Sequence, residues 1–89
     1  MDRNDLIAEG RRTLVSLHER RILFGGNTFR GELDYELYEL ANMAAWVNFK
    51  RLDLGKAPIP MSQVSQAQDR GDAGYEDEFI RSLVALILD

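Results

Sequence analysis

At 89 residues, 45% hydrophobic and 29% charged, the chain has the composition of one small globular domain, 1–89, rather than of a disordered or fibrous segment. It has no cysteine and a single histidine, which excludes disulfide frameworks, thiolate metal sites and cysteine nucleophiles. Its net charge of −4 argues against generic binding to a phosphate backbone, which needs a surplus of Lys and Arg.

A domain of this size without disulfides is expected in a reducing compartment, the cytoplasm. Met-Asp-Arg-Asn-Asp at the start lacks the apolar stretch of a signal peptide. The longest apolar run, Leu83 to Leu88, falls far short of the roughly 20 residues that span a bilayer, so no membrane association is expected. The charge is unevenly spread. Arg3, Arg11, Arg12, Arg20, Arg21 and Arg30 make the first third basic, and the acidic remainder includes the cluster Glu76-Asp77-Glu78.

The periodicity predicts a first helix over about 5–22, with Asn4 as its N-cap. Leu6, Ile7, Leu14, Leu17 and Phe24 share its apolar face, and Glu9, Arg12, Glu19 and Arg20 fall opposite. Gly10 lies on the apolar side, where it weakens the helix but admits a close neighbour. Gly25-Gly26-Asn27 should end this helix; a small hairpin of Ile22-Leu23-Phe24 with Thr28-Phe29 is the alternative.

A second helix is predicted over about 32–52, with acids at its start, Lys50 and Arg51 at its end, and Gly55 as a stop. Leu33, Leu37, Leu40, Ala44 and Val47 form one stripe, flanked by Tyr38, Ala41 and Ala45. Tyr35, Trp46 and Phe49 extend the apolar arc to the far side, leaving a narrow charged strip of Glu36, Glu39 and Lys50. A helix apolar over most of its circumference is expected to be a hub with neighbours on two sides.

Residues 56–74 form a polar connection in which Pro58 and Pro60 enforce extended backbone. Either a short helix over 63–70, capped by Ser62 and stopped by Gly71, or a mobile stretch is expected. A last helix, about 75–88, places Tyr75, Phe79, Ile80, Leu83, Leu86 and Ile87 on one broad face. The fold class is therefore all-α, with three helices, or four if the short one forms, around a long central hub.

No catalytic constellation emerges. His18 reads as a boundary histidine with no second His or Cys to build a metal site or a triad. Glu32, Glu36 and Glu39 resemble the carboxylates of bundle metal sites but lack the accompanying Glu-x-x-His pairs, so they read as a solvated face. Gly25-Gly26-Asn27-Thr28 with Arg30 lacks the Lys and the spacing of a phosphate loop. No metal and no cofactor is expected.

What remains is binding. The leading expectation is a non-catalytic, acidic protein-binding module, an adaptor or inhibitor. Its partner or dimer contacts would be Tyr35, Trp46 and Phe49, with Glu76, Asp77 and Glu78 facing a basic, nucleic-acid-binding surface on the partner. Homodimerisation is expected from the broad apolar arcs. The alternative is a dimeric DNA-binding regulator with a helix-turn-helix-like unit. It would use Arg11 and Arg12 on phosphates and Ser62, Gln63 and Gln66 on base edges.

Overall fold

The computed structural model describes residues 1–24, 32–71 and 76–89, and the side chains of 1–20, 35–69 and 77–89. The chain is all-helical over these residues: α1 (Arg3–Phe24), α2 (Glu32–Asp53), α3 (Met61–Gly71) and α4 (Glu76–Leu88). Ile22 to Phe24 belong to α1 and not to a hairpin strand. The Gly25-Gly26-Asn27 turn, Thr28, Arg30 and Tyr75 lie outside the described residues. No described helix is long and apolar enough to cross a membrane.

The first helix starts earlier than its sequence suggests. Leu6 N–H donates to the Asp2 carbonyl at 3.0 Å, and Asn4 N–H donates to Asp2 Oδ1 at 3.4 Å. Asp2, not Asn4, is therefore the cap, because an aspartate placed before the first turn satisfies the same orphan donors with a full charge. From there Leu6, Gly10, Leu14 and Leu17 are buried at helical spacing.

The second helix buries a different arc from the expected stripe. Leu40, Ala44 and Val47 are inside, as predicted, and they are joined by Tyr35, Met43 and Trp46. Leu37, by contrast, is 56% exposed, and Ala41 and Ala45 are also exposed. The helix is rotated so that its Trp46 side, not its Leu37 side, faces α1. The cause is visible at Gly10. A Cβ on that residue would sit 2.9 Å from Trp46 Cη2, 3.2 Å from Ile80 Cγ2 and 3.3 Å from Trp46 Cζ3. Glycine's bare backbone admits the indole, and burying that ring removes more apolar surface than burying Leu37 would.

The short helix after Pro60 forms. It begins at Met61, with Gln63 N–H donating to the Pro60 carbonyl at 3.1 Å. Ser62 therefore lies within the helix and does not cap it. Val64 and Ala67, three residues apart, bury its one apolar edge. In α4, Phe79, Ile80, Leu83, Val84 and Ile87 are all inside. Among the described residues α2 and α4 each touch the other three helices, whereas α1 and α3 share no contact.

Polar side chains close the ends of the helices. At the end of α2, Lys56 N–H donates to the Arg51 carbonyl (2.8 Å) and Gly55 N–H to the Leu52 carbonyl (3.0 Å). This turn requires a left-handed residue, which Gly55 supplies at φ 73°. Arg51 then donates to the carbonyls of Leu86 (2.6 Å) and Ala57 (2.8 Å), and Lys56 Nζ to those of Ile87 (3.0 Å) and Leu88 (2.6 Å). Two cations thus satisfy the orphan carbonyls at the negative end of α4. Asn48 holds the proline segment by accepting from Ile59 N–H (2.8 Å) and donating to its carbonyl (3.2 Å).

The Gly10 contact has a measurable consequence. Alanine there gains about 1 kcal/mol of helix propensity, yet its methyl must displace an indole. Gly10→Ala is expected to destabilise the fold by about 1–2 kcal/mol net, lowering Tm by roughly 5–15 °C. In a Trp46→Phe background the loss should shrink. A thermal melt in which Gly10→Ala raises Tm would show that the helices do not meet this way.

Candidate functional site

The aromatic residues singled out from sequence separate in the structure. Trp46 is 8% exposed and Tyr35 5%, so both are core; Phe49 is 67% exposed. Trp46 Nε1 donates to Glu9 Oε1 at 2.8 Å, and Lys50 Nζ lies 2.6 Å from the same oxygen. Glu9, its side chain 36% exposed, thus also clamps α1 to α2. Hydrogen bonding to Lys50, then to Trp46, holds its carboxyl below the ordinary value against the opposing effect of burial.

A second α1–α2 link joins His18 Nε2 to Glu39 Oε2 at 3.5 Å, with the His18 ring 5.9 Å from that of Tyr35. Burial raises the Glu39 carboxyl above its ordinary value; interactions with His18 and hydrogen bonds to Tyr35 and Gln68 oppose that rise without cancelling it. Glu39 is therefore tied into a helix interface, while Glu36 is exposed. Among the described residues no three His, Cys, Asp or Glu side chains form a group that could hold a metal.

Between these links an open cleft of about 380 Å³ is lined by Glu9, Arg12, Thr13, Ser16, Leu17, Arg20 and Asn42. Several of its polar groups are engaged within the fold. Thr13 donates to the Glu9 carbonyl (2.9 Å), Asn42 to the Tyr38 carbonyl (2.8 Å) and Arg20 to the Tyr38 hydroxyl (3.4 Å).

The acidic start of α4 is also partly committed. Arg11 donates to Asp77 Oδ1 at 2.7 Å, and Glu78 is exposed; the Glu76 side chain lies outside the described residues. Arg12 is exposed on α1, whereas Ser62, Gln63 and Gln66 are exposed on α3. These arginines and the Ser/Gln set stand on helices that share no contact among the described residues.

What the structure does bring together is an apolar face that joins Phe49, a predicted partner contact, to Leu37, Ala41 and Ala45 of the expected stripe and to Leu52. Leu37, Ala41, Ala45, Phe49 and Leu52 follow one another at spacings of four and three along the outer side of α2. Leu37, Phe49 and Leu52 are 56%, 67% and 57% exposed. The stripe itself carries no charged residue between Leu37 and Leu52, because the charges of that stretch, Glu39, Lys50 and Arg51, are directed to His18, Glu9 and the end of α4. Comparison with protein-family models, curated proteins and solved structures finds no match to this chain.

The two carboxylates make opposite contributions to pH dependence. With its folded pKa lowered, Glu9 stabilises the fold above the ordinary carboxylate pKa of about 4.3 and loses that contribution as pH falls through the lowered value. Urea unfolding should show Glu9→Gln less stable than wild type at neutral pH, with the gap closing as pH falls below the ordinary carboxylate range. Glu39, with its folded pKa raised, contributes most below the ordinary value and loses that contribution as pH rises. Glu39→Gln should therefore gain on wild type as pH rises. A gap that is flat with pH in both variants would contradict these assignments.

Proposed function

We propose that this chain is a non-catalytic protein-binding module whose docking surface is the outer face of α2. The observation that carries the reading is the exposure of Leu37, Phe49 and Leu52 on one continuous helical stripe. Single exposed apolar residues are ordinary on a protein surface, but a contiguous apolar patch marks an interaction site. The two alanines between the large residues leave a shallow groove into which a partner's side chains fit, as in helix-on-helix packing. Phe49, a rigid aromatic that projects from the fold, serves as the anchor.

The setting of the face supports this reading. Its helix is held to α1 by the Glu9 and His18 links and to α3 by a hydrogen bond from Gln68 to the Glu36 carbonyl, 3.3 Å. A surface fixed in this way loses little conformational freedom on docking. A photoactivatable phenylalanine in place of Phe49, introduced in cells producing the chain, should give covalent adducts with protein. The same probe at Glu19, exposed on α1, should not. An absence of adducts at position 49, or equal labelling at both positions, would sink the reading.

A further inference from the structure

We infer that the cleft between α1 and α2 is a binding site for a small phosphate monoester, its phosphate held by Arg12 and Arg20 over Ser16. This site is separate from the outer face of α2 and does not depend on the docking reading. Most described cations are committed inside the fold. Arg3 and Arg11 pair with Asp89 and Asp77, Lys50 with Glu9, and Arg51 and Lys56 with carbonyls of α4. Among the described residues three arginines, Arg12, Arg20 and Arg81, make no ion pair. Two of these three line the one cleft. Arg20 donates to the neutral Tyr38 hydroxyl at 3.4 Å, a long contact that an anion outcompetes.

The spacing brings the two cations to one point. Arg12, Ser16 and Arg20 are four residues apart, one above the other on the same face of α1. Such neighbours have Cβ atoms about 5–6 Å apart, a distance an arginine side chain spans. Both guanidiniums therefore reach one oxyanion set over Ser16, and each offers a planar fork that matches two phosphate oxygens. Ser16 is exposed and adds a hydroxyl donor from beneath. The Thr13 hydroxyl proton is already given to the Glu9 carbonyl, whereas Asn42 has given one amide hydrogen to the Tyr38 carbonyl and keeps a second. Glu9 is the one carboxylate in the lining, and Lys50, 2.6 Å away, offsets its charge. At about 380 Å³ the cleft exceeds a bare phosphate and falls at the small end of ligand sites, leaving room for an organic group beside Leu17. A nucleic-acid backbone fits less well. It needs a track of cations, and the neighbouring Arg11 is neutralised by Asp77.

Inorganic phosphate, titrated into the isotope-labelled chain with chloride holding ionic strength constant, tests the site by NMR. The Nε–Hε signals of Arg12 and Arg20 should shift saturably, with Kd on the order of 1 mM. Arg12→Gln and Arg20→Gln should each weaken binding about tenfold or more, with helical circular dichroism unchanged. Arg81→Gln removes the unpaired cation that lies outside the cleft and should leave the affinity unchanged. Shifts that do not saturate, that survive both cleft substitutions, or that weaken equally in Arg81→Gln overturn the site. Phenyl phosphate should bind more tightly than inorganic phosphate and also move the Leu17 methyl signals. If it binds no more tightly and leaves those methyls unmoved, the cleft takes a free phosphate and the monoester assignment fails.

Discussion

An indole lying on bare helix backbone sets the arrangement of this molecule. Trp46 meets α1 at Gly10, the buried position without a side chain, and Ile80 of α4 closes on the same spot. Three helices converge there, so the contact fixes both the distance between α1 and α2 and the rotation of α2 about its own axis. Glu9, one residue away, takes the indole N–H and the Lys50 ammonium on one carboxylate oxygen. That hydrogen bond answers the polar edge of a ring that is otherwise inside. With α2 turned this way, Met43 and Val47 are fully buried, and Leu37, Ala41, Ala45, Phe49 and Leu52 are left on the surface. The apolar outer face is a consequence of how the inner one is satisfied.

The far end of α2 is held by different means. Asn48, Arg51 and Lys56 bind backbone groups of the proline segment and of α4, so these elements are joined through their carbonyls as well as through the core. Lost hydrogen bonds of this kind are costly because the partner group is left partly buried and unpaired. The result is a face whose helix is secured along its length, which suits a surface that docks without rearranging.

The helical class, the three longer helices, Gly55 as a stop and the close approach at Gly10 were legible in the sequence, because each follows from local periodicity or from glycine's backbone freedom. The face of α2 was not. Apolar residues occupy so much of its circumference that projection alone does not say which arc is inside. A stripe centred on Leu37 and Ala44 and one centred on Met43 and Trp46 fit the pattern equally well. The long aliphatic stems of Glu39 and Lys50 mask the true inner arc, since both carry a charge yet point toward other helices. Their partners, His18 and Glu9, lie on another helix, and no spacing rule links them. The acidic start of α4 read as a free surface for the same reason, because its neutralising Arg11 lies 66 residues earlier. The cap at Asp2 was hidden by the competing Asn4, two residues on.

Trp46 is the chain's sole tryptophan, so its surroundings can be read directly by fluorescence. If the indole is packed against Gly10, its emission is blue-shifted relative to the unfolded chain and is only weakly quenched by acrylamide. Gly10→Ala should then shift it toward the red. Emission already red-shifted and freely quenched in the native wild type would place Trp46 on the surface and contradict the rotation of α2 on which the outer face depends.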